Sequence, residues 1–428
     1  MPKRHQSIYI NEINPIRKLH IMQINRDQFL EDGYLVLRQI IPPGQLDSLR
    51  VSYEHLVKQQ KVIWAEERPP NAPPGGVWET SAQPRLLLQQ SPLANLIDRY
   101  TASAIEIWLH PNTQGISSEL LDIPDAAVTE MMLMCSPVSD RGPAVWHRDL
   151  HPIDTAPLQG YIDDIIETGP RYIQWNIPLY DDSVLWVVPG SHLRLNTGQE
   201  NKQLLADPRV PLSDGIQTHL KAGDGVVYIL PILHWGSNYS DKTRRTIHGG
   251  FSNHTQYPNL DFVEHLKTPN QQMFENWEKR SIEMQNHTEA ALRAAIKQNS
   301  HDYHSNLEKL CPDRKEKGKM LTTIFLSKMV CFINLNKTPN FESVSDDLRQ
   351  KAPNAHPTTL NWGPKFADRF SVEEARILWN RFKIIDAKLK TNEEHFSPGF
   401  QSDPMHYFFN QMPTNFNVTD LIASWSKA

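Results

Sequence analysis

His147 and Asp149 constrain this chain more than any other pair. They stand two residues apart in Trp146-His147-Arg148-Asp149-Leu150. In extended backbone, residues i and i+2 point to the same face. An imidazole and a carboxylate on one face can grip a single metal ion and leave its far side open, provided a third ligand arrives from elsewhere. The pair alone is unspecific: the chain holds 18 histidines, and a partly exposed histidine beside a surface acid gives the same pattern.

The 428 residues suit one large domain with an elaboration, or two domains. The composition, 39% hydrophobic and 22% charged, is globular and lacks the signature of disorder. Thirty-two prolines against nineteen glycines suggest many ordered loops around a β-rich body. A net charge of −5 gives no basic field for nucleic acid, and no nucleic-acid-reading motif is present. Cys135, Cys311 and Cys331 are too few and too dispersed for a disulfide framework or a cysteine zinc site, which points to a reducing, cytoplasmic setting. The basic N-terminus lacks an apolar core of signal-peptide length. The apolar run Met320 to Leu335 carries Lys328 and is short for a membrane span, so no membrane partner is expected.

Taken in order, residues 1–24 read as an irregular arm. Asn25 caps a short helix, and Gly33 breaks it ahead of the strand Tyr34-Leu35-Val36-Leu37. Apolar spacing predicts helices over residues 46–58 and 92–110, with a loop between 62 and 84. From Ala127 the period becomes that of strands: Val128 to Cys135, then the metal-candidate strand, Tyr172 to Leu179, Val184 to Val188, Val226 to Leu230, and Arg244 to Phe251. The polar stretch from His151 to Pro170 reads as a long loop over a substrate pocket, its acids Asp154, Asp163, Asp164 and Glu167 either solvated or facing a cation. Beyond about residue 258 the pattern is helical, with Asn270 to Lys297, Met320 to Leu335, and a helix to Lys390 opened by the capping box Ser371-Val372-Glu373-Glu374.

A third ligand is available. Gly223-Asp224 turns into an apolar strand that delivers His234 to its end, and Asn238-Tyr239-Ser240-Asp241-Lys242-Thr243-Arg244-Arg245 follows. Two histidines and one carboxylate with open metal positions form the facial triad of non-haem Fe(II) oxygenases. An arginine one strand away can clamp a carboxylate in bidentate fashion.

These segments, in this order, resemble the phytanoyl-CoA dioxygenase family of Fe(II)/2-oxoglutarate oxygenases. Asp32-Gly33-Tyr34-Leu35-Val36-Leu37 resembles the family's opening strand. Met132 to Pro137 resembles the strand before its metal motif, and His147-Arg148-Asp149-Leu150-His151 the motif itself. Val187-Val188-Pro189-Gly190-Ser191-His192 resembles its Pro-Gly-Ser-His turn, and Gly223 to Arg245 its distal half. The resemblance covers roughly residues 25–255.

It implies an α+β fold: a double-stranded β-helix, or jelly-roll (cupin-like) core, with flanking helices and a helical C-terminal extension. The division expected is an arm at 1–24, a dioxygenase domain at 25–257 and a mainly helical region at 258–428. The cofactors implied are Fe(II), 2-oxoglutarate and O2. His147, Asp149 and His234 are implied as iron ligands, and Arg244 as the clamp on the distal 2-oxoglutarate carboxylate. Alignment on Asn238-x-Ser240-Asp241 selects Arg244, whereas counting from His234 selects Arg245. Adjacent strand residues face opposite ways, so one alone points inward. Met132, Asn176 and Ser237 match positions lining the cosubstrate pocket.

Arg148, His151, Trp235 and Arg245 are further candidates for substrate contact. Against them stand core packing for each tryptophan, a solvated loop for His151, and a surface salt bridge for Arg245. His192 is expected to shape its turn. The implied reaction oxidises a C–H bond of a small molecule as 2-oxoglutarate becomes succinate and CO2. The carboxylate of Asp149 favours hydroxylation over halogenation, for which related enzymes carry a small residue there. The C-terminal helices are open to three roles: capping the pocket, forming a homo-oligomer interface, or binding a carrier. The rival reading is a catalytically silent jelly-roll binding or scaffold protein whose C-terminal helices contact partners.

Overall fold

The computed structural model describes residues 24–90, 92–140, 142–150, 157–237, 242–253, 260–338, 341, 364–389, 394–396, 406–408 and 415–427. The arm to residue 23, His151, Asp154 and the stretch Asn238 to Asp241 lie outside them.

Two antiparallel sheets carry the β body. The strands are β1 (Tyr34–Leu37), β2 (Arg85–Leu87), β3 (Ala127–Cys135), β4 (Ile173–Pro178), β5 (Leu185–Val187), β6 (Ile216–Gln217), β7 (Gly225–Ile229), β8 (His234–Gly236) and β9 (Arg245–Ser252). The larger sheet runs β1-β7-β4-β9-β3-β2 and the smaller β6-β5-β8. Alternation sorts the large sheet's residues. Met131, Leu133, Ile173, Trp175, Ile177, Val227, Ile229, Ile247 and Phe251 face an apolar core. That core is closed by the helix Pro43–Glu66 through Leu49, Tyr53, Leu56 and Val57. The other face turns Met132, Met134, Gln174, Asn176, Tyr228 and His248 toward the small sheet.

Two turns fix the entry to this body. Asn25 accepts from the backbone N–H of Gln28 to start the helix Arg26–Asp32, and Gly33 ends it at φ 82°. A side chain at Gly33 would meet the His192 ring at 2.3 Å, so only glycine fits. His192 is buried, and its Nε2 lies 2.9 Å from the Leu30 carbonyl. It therefore ties the Pro-Gly-Ser-His turn to the first helix.

Several expectations are corrected. The helix expected over 46–58 runs Pro43–Glu66, with proline in its first turn where no N–H is needed. Residues 92–110 break into Leu93–Leu96 and Ser103–Glu106, because the Asp98 carboxylate accepts from the N–H groups of Tyr100 and Thr101 and turns the chain. His147 and Asp149 do not lie in a ladder strand: His147 makes an isolated antiparallel bridge to His234. The supposed loop before Pro170 holds a helix, Leu158–Thr168, which buries Leu158, Ile162 and Ile165 at helical spacing.

The C-terminal helices Thr268–Ile296, Ser300–Leu310, Glu316–Lys337 and Val372–Lys388 share a second core, including Leu292, Tyr303, Leu321, Ile324 and Phe382. The capping box at Ser371 and Glu374 is formed. Glu316–Lys337 is, among the described residues, the one helix long and apolar enough to cross a membrane, but 83% of its most apolar window is buried, as in a core helix.

Asp164 joins the two cores. It is 1% exposed and accepts from both Arg171 and Arg314. Arg171 also donates to the Gly318 carbonyl (2.7 Å) and to Thr322 Oγ1 (3.1 Å), while Arg314 reaches the Gly169 and Pro170 carbonyls (2.6 and 3.0 Å). A side chain at Gly318 would strike Asp164 at 2.4 Å. Asp164 is thus neither solvated nor free to face a ligand. Removing it strands two guanidinium groups, and D164A should lower stability by about 3 kcal/mol. The urea unfolding midpoint measures this; a shift no larger than that of a surface acid would refute the clamp.

Candidate metal centre

His147 and His234 are presented by one backbone exchange. The N–H of each donates to the carbonyl of the other, at 2.9 and 3.0 Å. Each imidazole is then oriented locally. His147 Nδ1 lies 2.8 Å from the Val145 carbonyl, and His234 Nδ1 lies 3.0 Å from that of Ile232. Carbonyls accept only, so both Nδ1 atoms carry the proton and both Nε2 lone pairs point forward. Between them sits Asp149, its Oδ1 3.3 Å from His147 Nε2 and its Oδ2 3.3 Å from His234 Nε2. The three ligand atoms lie within 4.8 Å of one another.

Three electron-pair donors converging in a buried site can hold a metal cation. Burial alone would raise the Asp149 carboxyl, but the facing imidazoles outweigh it and hold it well below the usual carboxylate range. Burial and the neighbouring His234 lower His147. Burial also opposes charge on His234, yet Asp149 outweighs it and raises that imidazole. A divalent ion fits this donor set without a proton having to be shared.

A layer of polar groups holds the carboxylate. Gln174 Nε2 donates to Asp149 Oδ2 (3.0 Å), to the Tyr228 hydroxyl (3.0 Å) and to His248 Nε2 (2.8 Å). Burial, then Arg85, pushes His248 down to about 3, so it is neutral. Its Nε2 accepts from Gln174, and its Nδ1–H donates to Asn176 Oδ1 at 2.5 Å.

The cluster opens onto a cavity of about 700 Å³. Met132, Asn176 and Arg244 line it. Arg244 is 6% exposed; its Nε donates to Asp182 (2.8 Å), and its Nη1 lies 3.6 Å from the Met134 sulfur. Asp182 also takes the Thr246 hydroxyl (2.7 Å) and the Val184 N–H (2.8 Å), and these partners outweigh burial to keep its carboxyl low. Arg245 points the other way, to Glu54 at 2.7 Å.

Other expected residues lie off the cavity wall. Arg148 is buried and donates to the Ser191, Pro231 and Arg194 carbonyls and to Asn196, so it braces loops rather than meeting substrate. Trp235 stacks on Trp146 at 5.5 Å and donates to the Ala144 carbonyl, which is core packing. The Ser237 hydroxyl donates to the Val184 carbonyl. Arg245, tied to Glu54, faces away from the substrate side. Sequence reasoning missed Gln174, Tyr228, His248 and Asp182. The available signal was alternation: Gln174 shares a face with Asn176, and His248 with Arg244.

A family model for phytanoyl-CoA dioxygenase (PhyH) matches residues 29–246, half of the chain, a span that includes His147, Asp149, His234 and Arg244. The chain belongs to the phytanoyl-CoA dioxygenase family. This PhyH member is accordingly a 2-oxoglutarate-dependent oxygenase of small molecules, with Fe(II), 2-oxoglutarate and O2 as its cofactors. No curated protein matches it in sequence. Among solved structures, AviO1 from Streptomyces viridochromogenes Tue57 is 19% identical with a TM-score of 0.37, over 53% of this chain and 93% of that one. EctD from S. alaskensis with 2-oxoglutarate and 5-hydroxyectoine is 14% identical with a TM-score of 0.37, over 53% and 74%. EvdO2 from Micromonospora carbonacea var. aurantiaca complexed with 2-oxoglutarate is 17% identical with a TM-score of 0.34, over 54% and 91%.

One divalent ion should bind per chain. Anaerobic Co(II) titration should show H234A weakened by at least about 100-fold, and Q174A, which only frees the carboxylate to swing, by about tenfold. Equal binding by wild type and H234A would exclude the cluster as the metal site.

Proposed function

We propose that this PhyH-family oxygenase hydroxylates an unactivated C–H bond of a small organic molecule, with His147, Asp149 and His234 holding Fe(II) and Arg244 holding the far carboxylate of 2-oxoglutarate. The observation that carries this reading is that all three ligand atoms and Arg244 face one cavity. In the same reading the two sheets are the halves of a jelly roll spanning 25–257, the region 258–428 is its helical extension, and the protein works in the cytoplasm, where buried free Cys135, Cys311 and Cys331 stay reduced.

When bound, ferrous iron supplies the activation of O2 that is coupled to oxidation of 2-oxoglutarate to succinate and CO2. The chain's own residues bind and orient. Asp182 engages the Arg244 Nε, so the guanidinium is fixed in its plane with its terminal nitrogens turned toward Met134 and the cavity. A fixed fork loses little freedom when a carboxylate docks on it. Gln174 holds Asp149 in the orientation that keeps one oxygen toward each imidazole. Neutral His248 turns the Asn176 oxygen inward to itself, which leaves the Asn176 amide hydrogens for the cosubstrate. Met132 and Met134 line the wall between these polar groups and help exclude water.

Anaerobic Fe(II) with 2-oxoglutarate should give a weak visible charge-transfer band; a folded protein without it would sink the oxygenase reading. R244A should weaken 2-oxoglutarate binding by at least about 30-fold, the cost of removing one partner from a buried charged contact. R245A should change it no more than a few-fold, and the reverse order would transfer the clamp to Arg245.

A further inference from the structure

The cavity continues past the metal centre, away from Arg244, and there the C-terminal helices form its wall. Met284, Leu310, Thr322 and Phe325 line it from that side, with Tyr161 from the helix Leu158–Thr168. Tyr161 and Phe325 pack ring to ring at 5.8 Å. The Asp164 clamp holds this wall against the sheets. The C-terminal third therefore completes the chamber.

The sheet face of the chamber carries one acid that structure does not use. Across the sheet, Glu130 (β3) pairs with Gly250 (β9), and Gly250 pairs with Gln174 (β4). Glu130 thus shares a row with the residue that holds Asp149, two strands away, about 10 Å. Gly250, between them, leaves room for the Tyr172 ring, which lies over it: a Cβ there would meet the Tyr172 hydroxyl at 2.2 Å. No hydrogen bond or ion pair engages the Glu130 carboxyl among the described residues. Burial pushes it up to about 7, Arg85 opposing and Asp149 adding to the rise.

The other charges sort around it. Arg171 and Arg314 line the chamber and are anchored on Asp164, Thr322 and backbone carbonyls. Arg85 donates to Gln83 on the same wall. Asp122 and Asp313 add exposed acids at the rim. The chamber is therefore apolar on its helical side, with a buried carboxyl on its sheet face that has no hydrogen-bond or ion-pair partner among the described residues, a combination that suits a protonated amine with an apolar body.

We propose that this chamber takes an amine-bearing substrate, its protonated nitrogen on Glu130 and its apolar body against Tyr161, Met284 and Phe325. The proposal rests on the oxygenase reading above and names the substrate class for the same site. The pairing also places the amine to one side of the metal cluster, so the bond oxidised lies several atoms from the nitrogen.

The test uses the full chain, anaerobic, with Fe(II) and 2-oxoglutarate. The probes are 4-phenylbutylamine, 4-phenylbutanol and 4-phenylbutyrate, titrated calorimetrically. The amine should bind at least about tenfold more tightly than the alcohol. E130Q should abolish that preference while leaving alcohol affinity, the charge-transfer band and thermal stability as in wild type. F325A should weaken amine and alcohol alike. E130D, which keeps the charge, should retain part of the preference. No amine binding, tighter binding of the carboxylate, or equal loss of amine and alcohol in E130Q would each overturn the proposal. A missing band in wild type would instead overturn the oxygenase reading, and titration of the metal-free protein would still decide the amine preference.

Discussion

The site depends on one antiparallel bridge. His147 and His234 are far apart in sequence, yet each donates its backbone N–H to the other's carbonyl. That exchange fixes the separation of two imidazoles before any side-chain choice is made. The i+2 relation then brings Asp149 to the same side, and β8 is held from behind by β5, Val187 opposite His234. The local carbonyls of Val145 and Ile232 set both tautomers. Metal-binding capacity here is therefore a property of the backbone first, with the three side chains filling positions the ladder has already defined.

Two buried acids, Asp182 and Asp164, each hold arginine, with opposite consequences. Asp182 takes only the Nε edge of Arg244, and its remaining capacity goes to Thr246 and Val184. Arg244 also lines the cavity, its Nη1 beside the Met134 sulfur. Asp164 shares two arginines whose other donors end on carbonyls and on Thr322. Those guanidinium groups dock the C-terminal helices.

Much of the framework was legible because it rests on local rules. The strands β3, β4, β7 and β9 follow apolar runs between turn residues, and Ser371 with Glu374 announces its helix. His147, Asp149 and His234 could be named because spacing and order restrict the choices. The helix Leu158–Thr168 was hidden by its acids: Asp163, Asp164 and Glu167 read as a solvated loop, and what buries Asp164 is Arg314, far along the chain. Arg148 was misread for the same reason, since the carbonyls it braces belong to Ser191, Arg194 and Pro231. Burial of a charge is decided by distant partners, and no local pattern records it.

The inner face of the large sheet shows a second reason. Strand alternation identifies which residues point inward but not which of them will be satisfied there. Gln174 has two amide hydrogens and three acceptors around them, on Asp149, Tyr228 and His248. His248, kept neutral by burial, has one donor, and Asn176 Oδ1 takes it. The contacts thus run from the carboxylate outward through Gln174 and His248 to Asn176. The Asn176 amide hydrogens come at the end of that chain, with no partner among the described residues and the cavity in front of them. A network that leaves its last donors facing the cavity supports the proposed docking of the cosubstrate on that side. Glu130, lying beyond Gly250 outside the network, gives the opposite end of the cavity the opposite preference.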